Sequence, residues 1–200
     1  MMMALAGCLL FMVYSCAVGR MNRSLTDEQK QLITDAKQMF SQFSTRGGGI
    51  NVPMPSNTGY ISAAPIWKQA STHEDENFQV VEIPLMSEIP FGSALPEAMN
   101  KFKETGDERY RQSKTCIVYK IDKTEKTEDM FFMTIMPALA YLELTKLKPF
   151  DKMSFIDLGK SFSGLIIYQN MKGETVNRLN YVDGEIASPI REHMNDESVN

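Results

Sequence analysis

The chain has 200 residues, with 21 Lys and Arg against 25 Asp and Glu, which gives a formal net charge of −4 at pH 7. This length suits one domain with a core of its own. The charges include no long basic block that could follow a phosphate backbone, which argues against nucleic acid as a partner.

The chain begins with an uncharged apolar run, and residues 5–16 read LAGCLLFMVYSC. A membrane span needs about 20 apolar residues, whereas Arg20 and Arg23 end this run. A secretory signal needs only about 7 to 15 apolar residues, followed by small residues at the cleavage site. A cut directly before a cysteine resembles the signal of bacterial lipoproteins, whose motif is an aliphatic residue, two small residues and Cys. We therefore predict a lipoprotein-type signal peptide over residues 1–15.

Two cysteines compete for the lipid. Residues 5–8 match the lipoprotein motif letter for letter, but the apolar run continues beyond Cys8. Residues 13–16 match it more loosely, and a cut before Cys16 falls where the apolar run gives way to polar chain. We predict lipidation of Cys16, with Cys8 as the alternative and a buried first helix as a third reading. No basic stretch precedes the run, which leaves open a translation start upstream of Met1.

The mature chain is predicted to have a short polar tether over residues 16–25, one domain over 26–188 and a polar tail over 189–200. Once Cys8 is removed and Cys16 is acylated, Cys116 is the only ordinary cysteine left. A disulfide framework and a cysteine zinc site are therefore both excluded, and we predict no cofactor.

The first predicted element of the domain is a long helix. Thr26 can cap its start, with Gln29 three residues further on as in a capping box. Apolar residues then recur at helical spacing and define one face: Leu32, Ile33, Ala36, Met39, Phe40 and Phe43. A glycine triplet starting at Gly47 ends the pattern. Residues 50–65 are rich in Pro, Gly, Ser and Asn and are predicted to form an extended loop.

The centre of the domain reads as three strands. Residues 78–85 form the first, which Pro84 is predicted to end or to place at a sheet edge. Residues 115–121 and 130–136 form an antiparallel hairpin. Between these strands, residues 86–113 are predicted to be a long loop or insertion, in which residues 96–105 can carry a short helix.

The C-terminal half predicts a short helix and a meander. Pro137 opens the helix through Leu144, and residues 162–168, 176–181 and a short strand through Ile186 follow, with a tight turn at residues 183–184. The sequence thus predicts an α+β fold. It consists of an antiparallel sheet of about five strands, with the meander in its C-terminal half, packed against one long N-terminal helix and one short helix.

Methionine is abundant, with 15 residues. Thioethers can bind Cu(I), but strand alternation places Met130 and Met136 on one face of the sheet and Met133 on the other. This arrangement argues against a single metal cluster and favours core filling.

Four short motifs and five single residues follow one another between residues 60 and 187. They are WKQA at 67–70, VVEIPL at 80–85, MTIMP at 133–137 and FSG at 162–164, then Tyr168, Gly173, Tyr181, Asp183 and Gly184. In this order they resemble a group of uncharacterised cell-envelope lipoproteins of Bacteroidetes bacteria. The resemblance implies a protein anchored to the envelope, with the outer membrane expected, and it brings no established activity. Members of the group often continue past the last hairpin, which leaves open a functional segment beyond it.

The sequence offers few residues with a chemical role. Neither His73 nor His193 has the spacing of a zinc-binding H-E-x-x-H motif. Residues 73–76 read HEDE and could attract a hard cation, but they lack the alternation of an ion-binding loop, so we predict a solvated acidic loop and no metal. Ser163 does not lie in a G-x-S-x-G elbow, and Cys116 lies in a predicted strand without a neighbouring base.

We therefore expect a lipid-anchored protein of the bacterial cell envelope that acts as a non-catalytic binding or structural module. Trp67, the only tryptophan, and His73 are the candidate contacts with a ligand or partner. One alternative is an inhibitor or immunity-type partner of a secreted hydrolase, suggested by the small α+β domain and the long loop over residues 87–113. Another is a hydrolase with a loop-borne site around His73. The expected partners are the membrane, through the anchor, and an envelope protein, while the oligomeric state stays open.

Overall fold

The computed structural model describes residues 25–53, 59–88, 94–147 and 153–187. Cys8 and Cys16, the predicted signal peptide and most of the tether lie outside these residues. His193 and the predicted tail over residues 189–200 also lie outside them.

The described part contains three α-helices and nine strands. The helices are α1 (Asp27–Phe40), α2 (Pro96–Thr105) and α3 (Leu139–Leu144). The strands are β1 (Ile50–Pro53), β2 (Tyr60–Pro65), β3 (Ser71–Glu74), β4 (Phe78–Ser87), β5 (Lys114–Asp122), β6 (Thr127–Pro137), β7 (Gly164–Asn170), β8 (Thr175–Val182) and β9 (Glu185–Ile186). Two short 3₁₀ helices lie at Trp67–Gln69 and Glu108–Arg111.

All nine strands belong to one antiparallel sheet in the order β1-β2-β4-β5-β6-β7-β8-β9, with β3 paired to β4 beside β2. The α+β class and the C-terminal meander are confirmed, but the prediction of about five strands is wrong. Much of the difference lies in residues 50–65, where we predicted a loop. Ile61 and Ala63 alternate inward along β2 and pair with Val52 and Ile50 of β1, which are also buried. Most of the turn-forming residues of this segment fall between the two strands.

Pro84 lies inside β4, which continues to Ser87, so the prediction that it ends the strand is wrong. Strand β2 pairs with residues 85–87 and β3 pairs with residues 79–82, which leaves Pro84 at the gap between them. Its carbonyl accepts a hydrogen bond from the Ile66 backbone N–H at 2.8 Å across this gap. Because the N–H and C=O of a strand residue point to the same side, the donor that proline lacks also faces the gap.

Helix α1 begins as predicted. The Thr26 hydroxyl accepts from the Gln29 backbone N–H at 3.2 Å, and the Gln29 side chain accepts from the Thr26 backbone N–H at 3.0 Å. The helix has only 14 residues and ends at Phe40, so it is shorter than expected. Phe43 is 40 % exposed and does not belong to the apolar face that we assigned to it, because the chain turns at Ser41.

The segment over residues 86–113 is not simply a loop in its described part. Helix α2 occupies Pro96–Thr105, with Pro96 in the first turn as expected. Gly106 ends it in the left-handed conformation with φ +70°. The loop that suggested an inhibitor is therefore largely helical between residues 96 and 111.

The central strands of the sheet are buried on both of their faces. On one face lies the first core, which includes Ile33, Ala36, Phe40, Ile50, Val52, Val81, Ile83, Ile117, Tyr119, Met130 and Phe132. On the other lies the second core, formed by Val80, Cys116, Val118, Phe131, Met133, Ile135, Met153, Phe162 and Ile166. Met130 and Met133 lie in different cores, as the alternation predicted. Helix α1 covers the first core, and residues 153–162 cover the second.

Candidate functional site

An open groove lies between the N-terminal half of α1 and strands β3, β4 and β5. It has a volume of about 390 Å³, which is at the lower end of the range for small-ligand sites. The groove is the candidate functional site because it combines carboxylates with an apolar floor.

One wall of the groove is a face of α1. Glu28 and Asp35 lie seven residues apart on this wall, a separation of about 10 Å along a helix axis. The Gln31 side-chain amide donates to a carboxylate oxygen of Asp35 at 2.8 Å. Leu32 lies between the two carboxylates in sequence and packs against the first core. This wall is therefore acidic at its ends and apolar in its middle.

The opposite wall is a row of residues across the sheet. Glu74 of β3 pairs with Gln79 of β4, which pairs with Ile121 of β5. The Lys123 ammonium lies 2.7 Å from a Glu74 carboxylate oxygen, and its hydrogen bond lowers the pKa of Glu74. Ile121 packs against the first core. This wall therefore also combines a carboxylate, from Glu74, with an apolar side chain, from Ile121.

His73 contributes to the groove from β3, not from a loop. Strand alternation directs its side chain to the face opposite Thr72 and Glu74, and its Nε2 lies 3.3 Å from the Ser71 hydroxyl oxygen. The Asp75 carboxylate forms the turn to β4 by accepting hydrogen bonds from the backbone N–H groups of Asn77 and Phe78. The predicted acidic loop over residues 73–76 is therefore part strand and part tight turn.

Trp67 does not line the groove. Its half-buried ring packs edge-on against Phe40 with centroids 5.6 Å apart, near the C-terminal end of α1. The Lys37 ammonium lies 5.6 Å from the centre of the Trp67 ring, a cation–π distance. The structure thus places Trp67 at a core edge and does not bring it together with His73.

Cys116 lies in β5, fully inside the second core. Burial, followed by the negative charge of Glu82, raises the pKa of the Cys116 thiol far above its ordinary value. A thiol that does not ionise is a poor nucleophile, so the structure assigns Cys116 to packing.

A buried ion pair beside Cys116 was missed by the sequence reasoning. The Glu82 side chain is 4 % exposed, and one of its oxygens lies 3.1 Å from the Lys114 ammonium. The other oxygen accepts the backbone N–H of Phe155, while Lys114 also donates to the Met153 carbonyl. The pair thus ties β4 and β5 to the segment over the second core. A lone glutamate in the apolar run VVEIPL was the signal that could have indicated it.

Within the described ranges, no group of three or more His, Cys, Asp or Glu side chains is placed to hold a metal ion. No helix in the same part of the chain is long and apolar enough to cross a membrane.

No protein-family model, no curated protein and no solved structure matches the chain.

Proposed function

We propose that this protein is a lipid-anchored component of the bacterial cell envelope, acylated at Cys16, whose domain over residues 26–188 is a non-catalytic binding module. The single observation that carries the proposal is the uncharged apolar run that ends at Cys16, shortly before the helix cap at Thr26. A short apolar run with small residues near its end is typical of an export signal.

The chemistry of the domain supports binding over catalysis. Two groups that could have served as nucleophile and acid are used for structure, because Cys116 is buried and Glu82 is paired with Lys114. The open groove beside α1 remains accessible to a ligand. The resemblance to lipoproteins of Bacteroidetes supports an envelope location, with the outer membrane as the proposed membrane.

The tether limits where the groove can act. From Cys16 to Glu28 the chain can extend by at most about 40 Å, so a ligand of the groove would be bound close to the membrane surface.

Metabolic labelling with radioactive palmitate tests the anchor. We expect label in the wild-type protein and in Cys116→Ser, but none in Cys16→Ala, because only the cysteine at the signal cleavage site receives the lipid. Loss of label in Cys8→Ala with retention in Cys16→Ala would move the anchor to Cys8. Unlabelled wild-type protein that keeps its first residues would refute the lipoprotein proposal.

Hydrolysis is a second candidate, based on one contact. The 3.3 Å separation of His73 Nε2 and the Ser71 hydroxyl is close to the reach of a base on its nucleophile. A fluorophosphonate probe would then label the wild-type protein but not Ser71→Ala. Absence of labelling in the wild-type protein would refute this candidate and leave the binding proposal untouched.

A further inference from the structure

We infer that the groove between α1 and β3 binds a basic, extended segment of a partner protein. This inference rests on the proposed function and specifies the chemistry of the partner. It is carried by three features of the groove: its carboxylates, its apolar floor and the spacing of Glu28 and Asp35 along α1.

The lining of the groove is acidic. Glu28, Asp35 and Glu74 contribute carboxylates, and neither a lysine nor an arginine belongs to the described lining. Lys123, outside the lining, offsets the charge of Glu74 at 2.7 Å. The Asp35 carboxylate is oriented by the neutral amide of Gln31 at 2.8 Å. The two helix carboxylates therefore supply the negative charge available to a cationic partner.

The floor indicates which kind of cation fits. Leu32 and Ile121 lie in the groove and pack against the first core. A hydrated divalent cation prefers a shell of oxygen ligands and gains nothing from an aliphatic floor. Lysine and arginine side chains have long apolar stems below a charged head. Such a side chain can lie on Leu32 and Ile121 while its head reaches a carboxylate.

The spacing of the two helix carboxylates favours a peptide. The seven-residue separation of Glu28 and Asp35 corresponds to about 10 Å along α1, which matches about three residues of extended chain. Side chains two positions apart in an extended peptide point to the same side. Basic residues at alternate positions lie about 7 Å apart on that side, and their long flexible side chains can span the remaining few ångströms to reach Glu28 and Asp35 together.

Fluorescence anisotropy with the full chain tests the inference. The probe is a fluorescein-labelled hexapeptide of alternating arginine and alanine, and the reference is the same peptide with glutamate in place of arginine. We expect the wild-type protein to bind the arginine peptide but not the glutamate peptide. The double variant Glu28→Gln with Asp35→Asn should bind the arginine peptide with an affinity about tenfold lower than that of the wild-type protein. This corresponds to the loss of two partly exposed ion pairs.

The matched control is the double variant Glu97→Gln with Glu104→Gln. It makes the same change in net charge on α2, which contributes no residue to the groove. We expect this control to bind the peptide within twofold of the wild-type affinity, and circular dichroism should verify that both double variants are folded.

Three results would overturn the inference. The first is no binding of the arginine peptide by the wild-type protein, and the second is equal weakening by the two double variants, which would indicate attraction by net charge alone. The third is spermidine binding as tightly as the peptide, which would make a polyamine the ligand. None of these results affects palmitate labelling, so failure of the groove and failure of the anchor are distinguishable.

Discussion

The buried pair of Glu82 and Lys114 allows a direct test of how the second core is held together. Replacing Lys114 with Met removes the ammonium but keeps an unbranched side chain that can fill the same space. The Glu82 carboxylate then remains buried without its counterion, although the backbone N–H of Phe155 still donates to it. We therefore expect a large loss of stability.

The magnitude follows from the exposure of the two side chains. Removing one partner of a buried ion pair costs about 3–5 kcal/mol. Because the Lys114 side chain is 24 % exposed, we expect the lower end for Lys114→Met, about 3 kcal/mol. In Glu82→Gln an amide oxygen can still accept from Phe155, so the cost should be about 1–2 kcal/mol. The double variant removes both charges and should also cost about 1–2 kcal/mol, well below the sum of the single changes.

Urea denaturation followed by the fluorescence of Trp67 measures these free energies of unfolding. A second readout uses Cys116, which lies in the core that Met153 and Phe155 cover. In a chain with Cys8→Ser and Cys16→Ser, the remaining thiol should react with a disulfide reagent only when that core opens. A loss of about 3 kcal/mol raises the open population, and with it the rate of thiol modification, by about a hundredfold.

Lys123→Met is the matched control, because it removes the partner of Glu74 in a pair whose side chains are 30 % and 59 % exposed. We expect it to cost less than about 1 kcal/mol. The reasoning is refuted if Lys114→Met costs no more than Lys123→Met. It is also refuted if the double variant of Glu82 and Lys114 costs the full sum of the two single changes.

Three further predictions concern local structure and pH. A Cβ at Gly184, whose φ is +81°, would overlap the Lys160 carbonyl oxygen, so Gly184→Ala should lower the free energy of unfolding by about 2–4 kcal/mol. The control Gly47→Ala places its Cβ in open space and should change that free energy by less than about 0.5 kcal/mol. Equal urea midpoints for the two variants would contradict this prediction. Thr26→Ala should lower the free energy of unfolding by about 1 kcal/mol through loss of the capping box, while Thr26→Ser should retain most of it. Burial raises the pKa of the Tyr168 hydroxyl in the folded protein, so as the pH rises the unfolded chain loses this proton before the folded chain does. The urea midpoint of the wild-type protein should therefore fall above about pH 10. It should fall less steeply with pH in Tyr168→Phe, which has no phenolic proton to lose. A midpoint that is constant from pH 8 to 10.5 would disprove this last expectation.

Local signals predicted those elements whose partners are close in sequence. The start of α1 depends on Thr26 and Gln29, three residues apart. The last turn depends on Asp183 and Gly184, which adopt φ values of +50° and +81°, as a two-residue hairpin requires. The hairpin of β5 and β6 follows from two strong strand patterns joined by a short polar turn. In each case the sequence near the element contains the interactions that stabilise it.

Elements that depend on distant partners were missed. Strand β2 is stabilised by β4, where Pro65 pairs with Leu85, and turn-forming residues surround it in sequence. The groove was missed for the same reason. Glu28 and Asp35 lie on the polar side of α1, and they form part of a groove only because the fold places β3 opposite them. Sequence reasoning found His73 but could not predict that its side chain points away from Glu74.

The position of the groove follows from the way the sheet is filled. Strands β5 and β6 are covered on both faces, with Tyr119 and Phe132 in the first core and Val118 and Met133 in the second. A ligand could reach these faces only by displacing α1 or residues 153–162, which would expose buried apolar surface at about 25 cal/mol per Å². Binding at the margin of the sheet, where the first turns of α1 lie above β3, requires no such displacement. The proposed partner is therefore expected to bind at that margin without opening the core.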